Sequence, residues 1–287
     1  MCERPIRKKR FIYMIKLLTS KLKKSVKLAL ILVGAVLLTS FSIDAADTFS
    51  GRGGTMLAQL IGVGNNVCPA GMVHMPASLT FTCVDKFEAS AGDSCQLKES
   101  SSQIDSEVNI AKASCTPVSV AESAPWVYIN REQASILCTR AGKRLPTASE
   151  WYQFSIGTNA ENCNISSTGS INGESSASCL SAAQVVNTVG NVWEWVADDV
   201  IEGEYQGRRL PETGYVTQVD NGGVATITTD DPKSDERGDY FWSDDQGTYG
   251  MIRGGFYGSR SDAGVYTLHA HTLPTFSGAA IGFRCVR

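Results

Sequence analysis

Eight of the nine cysteines (Cys68, Cys83, Cys95, Cys115, Cys138, Cys163, Cys179 and Cys285) fall after residue 67, and only Cys2 stands apart. An even set confined to one part of the chain points to a disulfide framework formed in an oxidising compartment. That restricts the body to folds whose long loops are tied down covalently. No close CxxC pair is present, which excludes a structural zinc reading. Spacing alone does not assign partners, because eight cysteines can be joined in far too many ways.

What precedes the cysteines fits export. Ten basic residues, Arg4, Arg7, Lys8, Lys9, Arg10, Lys16, Lys21, Lys23, Lys24 and Lys27, stand before position 28 against one acid, Glu3. The stretch Leu28–Ile43 that follows carries no charge. At about 16 residues it is shorter than the ~20 that span a bilayer comfortably, and it fits the hydrophobic region of a secretory signal. Cations directly before an apolar run set an inside-to-outside orientation. Residues 1–46 are therefore read as a signal peptide or an N-terminal membrane anchor, with cleavage left open, on a protein that is secreted or held at the cell surface. Membrane association is expected only through this segment. Residues 47–66 are Gly-rich and polar and read as a linker, and the body is read as 67–287. The whole chain has a net charge of −3, so the part after the basic head is strongly acidic. A nucleic-acid partner is not expected.

Within the body, the segments around Met72–Met75 and Phe81–Asp85 read as two short strands around a turn. The Ser-rich, charged stretch from Ala91 to Glu122 reads as a surface insertion tied down by Cys95 and Cys115. Two helices carry start signals. Asn130 with Gln133 forms one capping box, ahead of Ala134, Leu137, Cys138 and Ala141 at helical spacing and a stop at Gly142. Thr147 with Glu150 forms another, directly after Pro146 and running into Trp151 and Phe154. Gly157–Ala182 is looped, with Cys163 and Cys179. From Val189 onward the chain reads as short β segments and long loops, including an acidic loop at Asp230–Asp245. The class is α+β: two helices, then short irregular strands and long loops.

Four stretches carry a resemblance that periodicity does not supply: Pro125-Trp126-Val127 before the first helix, Ala141–Thr147 leading to Trp151, Gly190-Asn-Val-Trp-Glu-Trp195, and Arg253-Gly-Gly255 with the closing Gly282-Phe-Arg-Cys285. In this order they resemble the formylglycine-generating-enzyme (sulfatase-modifying factor) family, a variant of the C-type lectin fold, over roughly residues 67–287. The resemblance implies a Cys138–Cys285 bridge, and Cys163–Cys179 and Cys95–Cys115 are read as local pairs. Enzymes of the family hold copper(I) through two cysteines shortly after the RGG motif; the corresponding positions here are Ser259 and Gly264. Copper is not expected, because a soft ion needs thiolates. The resemblance also implies a calcium site at Asn187, Gly190, Val192 and Glu194, oxygen ligands on one loop that suit a hard cation. The alternative is that Asn187 and Glu194 hydrogen-bond the loop without metal. Trp193 and Trp195 are read as core.

The last 32 residues, Phe256–Arg287, contain no Lys, Glu, Gln, Met, Trp or Asn, although all five Trp and all six Met precede them. Every residue present can be encoded by a codon ending in a pyrimidine, the pattern left when AAY codons are randomised at their first two positions. The segment lies between an RGG start and a GFR end, and in this it resembles the variable region of diversity-generating retroelement target proteins. A Gly/Ala/Ser-rich β region of ordinary history is the alternative, and His269-x-His271 on one strand face lacks a third metal ligand. The reading is an exported, non-catalytic binding protein with a variable region at 256–280, whose ligand is an unidentified protein or surface molecule. Phe256, Tyr257, Tyr266 and Phe276 are expected to supply aromatic contact area, and Ser259, Asp262, His269, His271 and Thr272 polar contacts. Val265, Leu268, Ile281 and Phe283 are expected to face inward. The other reading is a sulfatase-modifying-type enzyme working without the copper cysteines.

Overall fold

The computed structural model describes residues 68–75, 78, 80–232 and 238–287. The signal or anchor read over 1–46 and the linker over 47–66 lie outside the described residues. Cys68–Arg287 forms one unit, and its elements are α+β. Three helices, α1 (Gln103–Ala111), α2 (Arg131–Arg140) and α3 (Ala148–Ser155), accompany strands β1 (Met72–His74), β2 (Cys83–Asp85), β3 (Ser90–Ala91), β4 (Pro117–Val118), β5 (Trp193–Ile201), β6 (Glu204–Tyr205), β7 (Arg208–Arg209), β8 (Gly214–Val219), β9 (Ala225–Thr229), β10 (Tyr240–Trp242), β11 (Thr248–Arg253), β12 (Leu268–Thr272) and β13 (Ile281–Gly282).

The two signalled helices start where their caps stand. Asn130 Oδ1 accepts from the Gln133 backbone N–H at 2.9 Å while Gln133 Oε1 accepts from that of Asn130 at 3.0 Å. Thr147 and Glu150 make the same reciprocal pair for α3, at 3.2 and 2.9 Å. Each box satisfies two backbone donors that a helix start would otherwise leave bare. The 91–122 stretch corrects the expectation of a mere surface insertion. It contains α1, capped by Ser102, and it is stitched into the body: Ser106 Oγ, buried, accepts from Trp126 Nε1 at 3.0 Å and donates to the Val127 carbonyl at 3.0 Å.

The main sheet has nine strands in the order β7-β6-β5-β11-β12-β10-β8-β9, with β13 pairing in parallel with β5. Sequence neighbours are therefore not always sheet neighbours: β10 and β12 lie side by side and parallel although β11 separates them in the chain. The C-terminus returns to the start of the domain, where Val84 and Arg144 both bridge to Val286. One buried cluster gathers around Trp151, Phe154, Phe241, Met251 and Leu268. A second gathers around Trp126, Leu137, Trp195, Phe283 and the Cys138–Cys285 pair.

Four disulfides lock this layout: Cys68–Cys83, Cys95–Cys115, Cys138–Cys285 and Cys163–Cys179. Cys138–Cys285 ties α2 to the last strand region across 147 residues. Arg253 of the RGG motif is fully buried. Its guanidinium donates to the carbonyls of Ala148 (2.9 Å), Gly222 (3.3 Å), Gly223 (2.7 Å) and Val265 (3.0 Å), so one side chain joins α3, the 220s turn and the segment before β12. Gly254 then turns with φ +91°, and a Cβ there would stand 2.6 Å from the Thr188 carbonyl oxygen, so only glycine fits.

Candidate functional site

The loop read as a calcium site lies over a buried polar cluster. Glu194, 1% exposed, has both carboxylate oxygens taken up. Oε1 accepts from Arg284 Nε (2.9 Å) and Nη2, and Oε2 accepts from Arg284 Nε (2.7 Å) and Trp151 Nε1 (2.7 Å). A carboxylate offers about four lone-pair sites; three N–H groups serve them, that of Arg284 Nε shared between both oxygens, and the guanidinium balances the charge. Glu194 is thus engaged in hydrogen bonds of the kind that stand as the alternative to a metal-ligand role. Asn187 donates through Nδ2 to Glu88 Oε2 at 3.0 Å, while its own Oδ1 is buried and has no hydrogen-bond partner. Gly190 and Val192 are backbone positions in the same buried loop. Among the described residues, no group of three or more His, Cys, Asp or Glu is placed to hold a metal ion.

Glu88 is the member of this cluster that sequence reasoning missed. Asn191 Nδ2 donates to both its oxygens, at 3.0 and 2.8 Å. Burial, reinforced by the negative charge of Glu194, pushes its carboxyl up to about 8. It is thus largely neutral beside an already paired carboxylate.

Among the described cysteines every one is in a disulfide. Gly264, where the resemblance puts the family's second copper cysteine, faces Asp239 so closely that a Cβ would stand 1.8 Å from Asp239 Oδ1. Asp239 holds this turn by accepting from the Tyr266 backbone N–H at 2.8 Å.

A cavity of about 570 Å³ opens where β12 and the 273–281 segment face β5 and β11. Ten of its twelve lining residues lie between 256 and 281; the other two are Trp193 and Ile252. The alternation of β12 explains the wall: Leu268, Ala270 and Thr272 are buried, while His269 and His271 are half-buried on the opposite face. Thr272 nonetheless reaches the cavity, and its Oγ1 lies 2.8 Å from His269 Nδ1. Leu273 and Phe276 stand at the mouth, 57% and 53% exposed.

The imidazoles are part of a row of rings. The parallel pairing of β10 and β12 sets Trp242 against His269, stacked at 5.4 Å and 23°. Trp193 meets both edge-on, at 5.8 and 6.2 Å. The row continues outward through Tyr240, 4.6 Å from Trp242, and Tyr215, 4.8 Å from Tyr240. Burial lowers His269 to about 3, helped by the neighbouring His271. His271 is also lowered by burial, against the opposing pull of Asp244 and a hydrogen bond with the Trp242 backbone. Both rings are neutral at physiological pH and act as aromatic surface.

The structure brings together Phe256, His269, His271, Thr272 and Phe276 from the expected contact set. It does not bring Tyr257, Ser259, Asp262 and Tyr266 to the cavity wall. Ser259 Oγ accepts from the Phe256 backbone N–H at 3.0 Å, shaping the turn. Tyr266 packs on Tyr152 at 5.7 Å. The Asp262 backbone carbonyl accepts from Thr267 Oγ1, and Tyr257 sits beside Phe256, edge-on at 5.1 Å. Thr272 is 6% exposed rather than a free polar contact. Leu268, Ile281 and Phe283 are buried, whereas Val265 is half-buried. Trp193 is core, as expected, yet also floors the cavity. Trp242 and Ile252 carried no signal, because strand order decides that they meet the segment; Leu273 lies inside the segment but was not singled out.

Residues 154–287 match the family model of the Sulfatase-modifying factor enzyme 1-like domain. The element order above is α+β, the class that the sequence implied. The chain is also similar to solved structures. The Major Tropism Determinant P3c Variant is 17% identical with a TM-score of 0.42, and the match covers 77% of this chain and 53% of that one. The U1 Variant is 18% identical with a TM-score of 0.43 and the same coverage. The crystal structure of CarF is 14% identical with a TM-score of 0.39, covering 71% of this chain and 85% of that one. The chain thus spans about half the length of the Major Tropism Determinant structures. No curated protein matches the sequence significantly.

Proposed function

We propose that this is an exported, non-catalytic ligand-binding protein that displays a diversified C-terminal surface on a disulfide-locked C-type lectin-like scaffold. One observation carries the reading: the compositionally skewed C-terminal stretch and the wall of the cavity are largely the same residues, ten of twelve. A site lined by imidazoles, one hydroxyl and apolar groups, with no carboxylate, amine or thiol on its wall, is suited to binding rather than to acyl, phosphoryl or thiol chemistry. The disulfides support an oxidising compartment, and the basic-then-apolar segment of 1–46 supports export. The structural likenesses to Major Tropism Determinant variants are too distant to add to this. Function is argued from the site, not from the fold.

The family match favours a second reading, a sulfatase-modifying-type enzyme without the copper cysteines. Two measurements separate them. Sequencing the DNA around the gene should find a reverse transcriptase beside a near-copy of the 256–285 coding segment that differs at adenines. Purified protein given copper(I) and a Cys-containing sulfatase peptide should yield no formylglycine; turnover above background overturns the binding-protein reading.

A further inference from the structure

Given the reading of the C-terminal segment as a binding surface, on which this rests, we infer that the cavity is the anchor point for one uncharged aromatic side chain carried on a loop of a protein partner. Its volume, about 570 Å³, falls in the range of roughly 300–1,000 Å³ typical of formed binding pockets. That is ample room for a bulky ring. The floor and walls are Trp193, Ile252, Phe256, Ala280 and Ile281 with the two imidazoles. Stacked and edge-on rings there offer an incoming aromatic the same offset geometries that they use among themselves.

Electrostatic complementarity selects the charge state. None of the twelve lining residues is Asp, Glu, Lys or Arg. Both imidazoles are lowered and neutral, and His269 Nδ1 is already engaged with Thr272 Oγ1. A buried ammonium or carboxylate would meet no counter-charge and would lose its hydration without return. The mouth selects the source. Leu273 and Phe276 belong to the lining yet are 57% and 53% exposed, so a molecule seated wholly inside would leave their outer faces wet. The backbone flanking an inserted side chain would cover them. An aromatic anchor ringed by such contacts that exclude water is how protein interfaces concentrate their affinity.

The test uses the full oxidised chain and short cyclic Gly/Ser peptides bearing a single Trp, Leu, Lys, Asp or Ala, with N-acetyltryptophanamide as the free ring. The ring resonances of His269 and His271 report occupancy, and those of His74, outside the cavity, serve as the internal reference. The Trp peptide should shift both cavity histidines and bind at least tenfold more tightly than the Lys or Asp peptide. Ala280→Leu should abolish the shift. Phe276→Ser, at an exposed position, should weaken the cyclic Trp peptide severalfold and by a clearly larger factor than the free ring, and it carries the test should Ala280→Leu not fold. Equal binding of charged and aromatic peptides overturns the inference. So does a free ring that binds as tightly as the peptide, which makes this a small-molecule pocket. If no peptide moves His269 or His271 while copies of the gene differ at 256–280, the anchor fails and the binding-surface reading stands. An invariant segment with no adjacent reverse transcriptase removes the reading itself.

Discussion

Arg284→Met should be among the most damaging single changes in the domain. The side chain is fully buried. Besides the Glu194 pair, it donates to the carbonyls of Asp85 (3.1 Å), Lys86 (3.3 Å), Val186 (2.9 Å) and Asn187 (3.2 Å). It thereby holds the β2 exit, the 186–187 loop and β5 together. Breaking a buried pair from one side costs about 3–5 kcal/mol because the remaining charge is left uncompensated. The four released carbonyls place this case at the upper end. At about 2–4 °C per kcal/mol for a domain of this size, the melting temperature should fall by roughly 10–20 °C. Glu194→Gln should cost less than Arg284→Met. Glu88 is held near 8 by burial and by Glu194, and Arg284 draws it down; once Glu194 is neutral, Glu88 can ionise in its place. Glu88→Gln should cost under about 1 kcal/mol at neutral pH, since it copies the neutral form, and the unpartnered Asn187 Oδ1 can rotate to accept from the new amide. The assay is urea unfolding of the three variants and of the Glu194→Gln/Arg284→Met pair, which should recover part of the loss. Glu88→Gln as damaging as Arg284→Met, or a harmless Arg284→Met, would refute the reasoning.

The same cluster sets a pH dependence. A carboxyl raised from 4.5 to about 8 binds its proton more tightly in the folded state, so its contribution is full below 4.5 and is lost as pH rises to about 8. His269, lowered from 6.5 to about 3, has the opposite sign and costs stability as pH falls below 6.5. Between 4.5 and 6.5 the two offset, leaving a decline of about 2 kcal/mol from pH 6.5 to 8 that Glu88→Gln should flatten in a melting series. Replacing Cys138 and Cys285 by Ala opens a loop of 147 residues and should cost about 4–5 kcal/mol in the chain-entropy model, read by urea unfolding. Phe283→Ala, at a fully buried ring, should cost about 3–5 kcal/mol, whereas Phe276→Ser should change stability by no more than about 0.5 kcal/mol. Thermal melts of the two, side by side, check this.

Local chemistry was legible in the sequence, and long-range pairing was not. The capping boxes at Asn130 and Thr147 give α2 and α3 because each is a contact between residues three apart. The α1 start has a similar signal, Ser102 with Asp105, but it was hidden inside a Ser-rich, charged stretch that reads as a loop. The Glu88–Asn191 contacts join residues 103 apart, and no periodicity encodes such a meeting. For the cavity, the tail announced itself through composition, yet its other wall depends on strand order. Trp242 reaches His269 only because β10 inserts beside β12. The even apportioning of Phe256–Thr272 into exposed aromatic and polar contacts failed for a related reason. Tight turns at Ser259 and Gly264 spend several of those side chains on shaping the backbone.

The central claim is that a fixed scaffold carries a cavity rim free to change. The most direct measurement is the folded fraction of two displayed libraries of equal size, one randomised at Leu273, Thr275, Phe276, Ser277 and Ala279, the other at Leu268, Ala270, Ile281, Phe283 and Cys285. The account predicts that most members of the rim library fold with their disulfides formed and that almost none of the core library do. Equal loss of folding in both would contradict it.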